Sequence, residues 1–294
     1  MIELRELSFR DWIFLKPLNL LLKEIRNDLW LRFYIGRKVD GLDKFLDEVT
    51  YLAGRNVVVV VAFEQPWALN WLLRMAKKNL QDATVIVFDN SRKVNLRKDI
   101  ERVCLTNQAH YLSLPFNNTK HVNRSHGMAM SWIYHNIVNV IKPSAFAFVD
   151  HDLIPVSPVN LTENLGGQSF YGRVGGNNPK YWSLWAGYCI FAYQYLQNRK
   201  INFLYDFSRG LDTGGRNWDS LYLTYDKSQL AFAAQDYKTI YIPGFNQGVS
   251  VEFIDGKWMH MGRISYRDGF KDKFVFFEAL ANELEKDSNW QRLL

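Results

Sequence analysis

"NVVVVVAF" (residues 56–63) decides the fold of this chain. Five consecutive valines admit no polar alternation, so both faces of the strand they form must be buried. A strand of that kind belongs in a parallel sheet covered by helices on both sides. The flanking sequence supplies the cover. "PWALNWLLRMAKKNL" (66–80) reads as a helix with Pro66 in its first turn. "ATVIVFDNS" (83–91) is a second buried strand, and a charged helical segment leads to a third, "AHYLSLP" (109–115). "RSHGMAMSWIYHNIVNVIK" (124–142) reads as a long helix and "AFAFVDHD" (145–152) as the fourth strand. Strand and helix alternate in units of roughly 30 residues, as right-handed βαβ crossovers require. The segment before residue 55 is helical by its three- and four-residue apolar spacing, in "PLNLLLKEIRNDLWLRFYIG" and "LDKFLDEVTYLAG".

The alternation stops after residue 155. Stretches rich in Gly, Asn and aromatic residues follow, among them "GGQSFYGRVGGNN", "YWSLWAGYCIFAY" and "FSRGLDTGGRNWDS". These predict short antiparallel strands and loops. The tail "FVFFEALANELEKDSNWQRLL" returns to helix. The expected organisation is a helical extension over 1–54, an α/β domain over 55–265 and a helical tail over 266–294 packed on that domain. The fold class is α/β, with a mostly parallel sheet flanked by helices and a mixed second half.

With 294 residues, 48% of them hydrophobic and 22% charged, the chain can bury a large core. The net charge of +6 and pI of about 9.1 favour an anionic partner. The basic residues are scattered; of the densest stretches, "RMAKK" (74–78) and "SRKVNLRKDIER" (91–102), the second contains acids. A solvated helix face explains each better than a nucleic-acid groove, so no nucleic-acid partner is expected. The two cysteines, Cys104 and Cys189, have no metal-like spacing and fit a reducing compartment. The N-terminal residues do not form a secretory signal, and no apolar run is long enough to span a bilayer. A cytoplasmic location is expected. The N-terminal helix carries Trp12, Phe14, Trp30 and Phe33 among lysines and arginines. It fits either peripheral contact with a membrane or a packing or dimerisation element.

In such sheets ligands bind outside the carboxyl ends of the strands. Three polar groups fall there: Glu64-Gln65, Asp89-Asn90-Ser91 and Asp150-His151-Asp152. Asp150 and Asp152 stand at i and i+2, so on an extended strand they point the same way and repel. A divalent cation removes the conflict, and hard oxygen ligands suit Mg²⁺ or Mn²⁺, which also bind phosphate. Asp-x-Asp is also a common turn. Its place after "AFAFV" on the fourth strand is what raises it above that reading.

Taken in order, "NVVVVVAF", "VIVFDNS", "HGMAMSW" and "FAFVDHDLIP" resemble the nucleotide-sugar-dependent glycosyltransferases of the GT-A fold, over roughly residues 56–192. The resemblance implies a transferase that moves a sugar from a nucleoside-diphosphate donor to a hydroxyl of a saccharide or lipid-linked glycan, of the kind used in polysaccharide biosynthesis. It implies that Asp150 and Asp152 hold Mn²⁺ or Mg²⁺ on the diphosphate, and that Asp89, with Asn90 and Glu64 nearby, holds the nucleoside. "YWSLWAGYCIFAY" (181–193) is similar to the strand lining the donor-sugar pocket, which places Gly187 beside the donor. "WMHMGR" (258–263) is similar to a late segment supplying a third metal ligand, which assigns His260. A nucleotidyltransferase would open with a Gly-rich basic loop after the first strand. "AFEQPWALNW" has neither glycine nor lysine, and no GxGxxG dinucleotide fingerprint follows that strand.

Other residues carry paired readings. His126 and Gly127, near the start of the long helix, fit phosphate binding at a helix N-terminus or ordinary packing. Arg124 faces either a diphosphate or solvent. His151, between the aspartates, is expected to support rather than coordinate. "LDTGGRNWD" (211–219) offers Asp212 as a general base for an inverting reaction, against an Asx-turn reading. Of Trp182, Trp185 and Tyr188, one or two stack on a sugar and the rest fill the core. The alternative function is a non-catalytic glycan- or nucleotide-binding module of the same fold.

Overall fold

The computed structural model of the chain describes residues 8–175, 180–262, 270–287 and 289–294. Three helices come first: α1 (Phe9–Ile13), α2 (Lys16–Ile35) and α3 (Leu42–Val49). The alternating core follows as β1 (Asn56–Ala62), α4 (Pro66–Asn79), β2 (Ala83–Asp89), α5 (Val94–Thr106), β3 (His110–Ser113), α6 (Val122–Ile133) and β4 (Ala145–Asp150). The helix expected over 124–142 begins two residues earlier and continues past α6 through a wide π-type turn, Tyr134–Val138, to Ile141.

β1 to β4 run parallel, in the order β3-β2-β1-β4. Alternation along β1 divides its valines between two layers. Val58 and Val60 pack in one core with Trp71 of α4 and Leu280 of the C-terminal helix Phe270–Lys286. Val57, Val59 and Val61 pack in the other with Phe45 of α3 and Trp132 of α6. None of the five is more than 5% exposed, as a strand buried on both faces requires. Each such side chain contributes about 1.5–3 kcal/mol of burial free energy. The helices of 1–54 and the C-terminal helix thus complete the two cores that cover the sheet.

The mixed second half supplies β5 (Leu153–Pro155), β6 (Phe170–Gly175), β7 (Ser183–Ala192), β8 (Gln235–Ile240), β9 (Val249–Ile254) and β10 (Trp258–His260). β7 adds antiparallel to β4 and β6 to β7, closing a six-stranded sheet. β5, β10, β9 and β8 form a separate antiparallel sheet in that order. β5 leaves the Asp-His-Asp turn directly, and its Leu153 pairs with His260 of β10. That register brings His260, 108 positions on from Asp152, next to it. Arg263 of the late segment, residues 176–179 and the start of the tail fall outside the described residues. Among the described residues no helix is long and apolar enough to cross a membrane.

Candidate active site

The site lies at the carboxyl end of β4. Asp150 closes the strand, pairing in register with Val61 of β1, and the chain turns at His151-Asp152 into β5. Asp150, Asp152 and His260 each offer a ligand atom within 4.8 Å of the other two. His260 Nε2 stands 3.7 Å from Asp152 Oδ1. Its Nδ1 is 2.5 Å from Glu252 Oε2, the residue opposite it across the β9–β10 hairpin. A carboxylate on Nδ1 fixes the ring so that Nε2 faces the aspartates, the usual outer support of a metal-ligating histidine.

Three carboxylates and an imidazole crowd this cluster, and their charges act on one another. Burial, with the charge of Asp152 beside it, pushes Asp150 up to about 6. Burial opposes a charge on His260, but Asp152, Glu252 and Asp150 outweigh it and raise its pKa. Burial likewise opposes the charge on Glu252, but the hydrogen bond and charge of His260, with Arg173 and Gln235, together outweigh it and lower its pKa. Three neighbouring carboxylates thus favour positive charge at this point of the structure. Two hard carboxylates and an imidazole with a fixed tautomer fit Mn²⁺ or Mg²⁺.

The cluster opens into a cavity of about 880 Å³. Seven of the nine residues expected at the site line it: Asn90, His126, Asp150, Asp152, Gly187, Asp212 and His260. His126 Nδ1 lies 3.8 Å from Asp150 Oδ1, and burial lowers its pKa to about 4, so the ring is neutral at pH 7. Asn90 Nδ2 donates to Ser125 Oγ at 3.0 Å, while its buried Oδ1 has no partner. Asp212 Oδ1 accepts from Asn123 Nδ2 and from the Thr213 amide at 2.7 Å. Among the described residues its Oδ2 accepts no hydrogen bond and is available at the cavity. Gly187 is required by close approach: a Cβ there would strike both the Trp185 ring and the Asp150 carboxylate.

Glu64 and Asp89 are not brought to the cavity wall. Asp89 is fully buried, and its carboxylate accepts from the Ser91 amide at 2.8 Å and the Tyr111 hydroxyl at 3.1 Å. Glu64 accepts from the Arg92 amide at 3.3 Å and pairs with Lys93 at 3.3 Å. Arg124 faces neither a diphosphate nor solvent. It is buried, donating to Tyr205 Oη and Thr119 Oγ1, with its guanidinium 5.1 Å from the Trp30 ring. Gly127 serves packing, because a Cβ would strike the Phe203 carbonyl. Asp219 is bound by Arg209 through two 2.9 Å contacts. Trp182 and Tyr188 are core residues, and of the three aromatics only Trp185 lines the cavity. His151 is buried yet also lines it, with Nε2 unpaired.

Sequence reasoning missed Glu252 and Arg173. Arg173 donates to Gln235 at 3.0 Å, lies 3.7 Å from Glu252 and covers the Trp185 ring at 4.8 Å. The signal for Glu252 was the Asp255-Gly256 turn, where both residues have positive φ. A two-residue loop there would set Glu252 opposite Met259; the observed loop takes in Lys257 as well, so Ile254 pairs with Trp258 and Glu252 with His260.

No protein-family profile matches this chain, and a search of curated proteins finds no match. Among solved structures it is similar to TarS of S. aureus at 16% identity and a TM-score of 0.36, over 51% of this chain and 30% of that one. It is similar to glucosyl-3-phosphoglycerate synthase from Mycobacterium tuberculosis, in complex with Mn²⁺ and UDP-glucose, at 16% identity and a TM-score of 0.35, over 57% and 65%. It is similar to the mannosyltransferase PcManGT from Pyrobaculum calidifontis, in complex with GDP-mannose and Mn²⁺, at 13% identity and a TM-score of 0.36, over 60% and 53%. Each match spans less than two thirds of the solved chain.

Proposed function

We propose that this chain is a metal-dependent glycosyltransferase. It moves a sugar from a nucleoside-diphosphate donor to a hydroxyl of a saccharide or lipid-linked glycan. The observation that carries this reading is the Asp150–Asp152–His260 cluster, set at the carboxyl end of a parallel strand and open to the cavity. These three residues would hold Mn²⁺ or Mg²⁺, which supplies charge neutralisation for a departing diphosphate.

The chain's own groups divide the remaining work. Asn90 Oδ1, buried and unpartnered, accepts a hydrogen bond from the nucleoside. The backbone at Gly187 and the Trp185 ring bound the donor sugar. Neutral His126, 3.8 Å from Asp150, is placed to donate to a donor oxygen without adding charge. In an inverting reaction Asp212 Oδ2 takes the acceptor hydroxyl's proton as that oxygen attacks the sugar, and the sugar–phosphate bond breaks. Asn123 and the Thr213 amide hold the carboxylate in place from its other oxygen.

Thermal shifts with a panel of nucleoside diphosphates and their sugars, run with Mn²⁺ and with EDTA, test this reading. A nucleotide at about 100 times its Kd adds roughly 2.7 kcal/mol of stability. Stabilisation by one nucleotide that needs Mn²⁺ and disappears in Asp152→Ala is expected. Stabilisation that survives EDTA in both proteins would favour the non-catalytic binding module.

A further inference from the structure

Helix α2 presents its apolar side outward. Leu18, Leu22, Ile25, Leu29 and Phe33 recur at three- and four-residue spacing along one face, and all are exposed. Leu22 and Leu29 are 57% and 58% exposed and Phe33 76%. α1 adds Phe9 and Trp12, likewise exposed. The inward face is instead polar in part. Asn27 donates to Tyr205 Oη at 3.1 Å, Glu24 accepts from Ser208 Oγ at 2.6 Å, and Asp28 pairs with Arg216 at 2.8 Å. A surface helix ordinarily buries its apolar stripe. Here polar contacts, with the buried Leu31 and Tyr34, fasten the helix, and an apolar strip about 23 Å long, from Leu18 to Phe33, faces away from the protein.

The charges around the strip select its occupant. Arg10, Lys23, Arg26 and Arg32 form no ion pair among the described residues. The three acids of these helices are already engaged: Asp11 with Ser8 and Lys16, Glu24 and Asp28 with Arg216. A second copy docked here about a two-fold axis would set unpaired cations against the same cations. An anionic lipid surface would complement them while taking the leucines and aromatic rings into its acyl boundary. We infer that the α1–α2 face docks on an anionic membrane surface, with the helix lying in the plane of the interface. This inference stands independently of the sugar-transfer reading.

Vesicle flotation tests it, using phosphatidylcholine alone and phosphatidylcholine mixed with phosphatidylglycerol. The wild type is expected to float with the mixed vesicles and to be released by salt. Each cationic residue near such a surface is worth roughly fivefold in affinity. Arg26→Glu with Arg32→Glu should therefore weaken binding by roughly 25-fold or more. Leu22→Glu with Leu29→Glu should abolish it without changing the melting transition, since both side chains are already in solvent. Absence of binding to the mixed vesicles, or equal binding by all three proteins, overturns the inference. Sedimentation equilibrium provides a further check: a dimer that Leu22→Glu with Leu29→Glu dissociates, in a chain that ignores vesicles, would assign the face to a second copy instead.

Discussion

β2 and β4 flank the same strand, and each ends an apolar run in an aspartate. Asp89 and Asp150 are hard to tell apart by local sequence, yet their fates differ. Asp89 is sealed off and satisfied by Ser91 and Tyr111. Asp150 opens to a cavity beside a second carboxylate, an imidazole and a glycine that leaves it room. An acid at a strand end is therefore a site only where another element delivers partners with the same need. Here that element is the β9–β10 hairpin, which carries Glu252 and His260 to the end of β4 through the pairing of β10 with β5.

Substitutions can break this contrast. The largest effect is expected for Asp152→Ala. Losing a metal ligand removes several kcal/mol of transition-state stabilisation, so turnover should fall by roughly a thousandfold or more. A comparison of initial rates at saturating donor and Mn²⁺ checks it. Glu252→Gln should leave the fold intact but release the His260 ring, weakening Mn²⁺ binding by roughly 10–100-fold. Calorimetric titration with Mn²⁺ measures that loss.

Asp89→Ala should reverse the pattern. It strands the Ser91 amide and the Tyr111 hydroxyl, each at a cost of about 1–3 kcal/mol. The melting temperature should drop while Mn²⁺ affinity per folded molecule stays unchanged. Loss of Mn²⁺ binding with an unchanged melt would invert the roles assigned to the two aspartates.

A pH series sharpens the comparison with the smallest effect. Asp150's pKa of about 6 in the fold lies above its unfolded value near 4. The metal-free fold therefore loses stability as the pH rises between those values, and Mn²⁺ binds progressively better over the same range. The raised pKa of His260 adds a second proton for the cation to displace. Asp150→Asn should flatten this part of the metal-free stability profile, and thermal melts across pH 4–7 at fixed ionic strength would show it.

How much of this was legible in the sequence follows from the range over which each cause acts. The β1–β4 core was readable because burial on both faces writes itself into consecutive residues such as Val57–Val61. Asp150, Asp152 and His260 could be named from motif and resemblance, and the geometry brings them together. Glu252 was hidden because its role depends on a hairpin register, which a shift of one residue would invert. The burial of Asp89 was hidden because Tyr111, its partner, comes from a neighbouring strand. The orientation of α2 was ambiguous for a different reason. Leu31 and Tyr34 mark one apolar face and Leu22, Ile25 and Leu29 another, and only the contacts of Asn27 and Asp28 decide which turns inward.

The most direct measurement is Mn²⁺ binding followed by electron paramagnetic resonance, where the signal of free aqueous Mn²⁺ falls as the protein takes it up. Wild type and Asp89→Asn should each bind one ion per chain, whereas Asp152→Ala and His260→Ala should leave the free signal undiminished. Equal uptake by wild type, Asp152→Ala and His260→Ala would place the cation elsewhere and contradict the assignment of the β4 end as a metal centre.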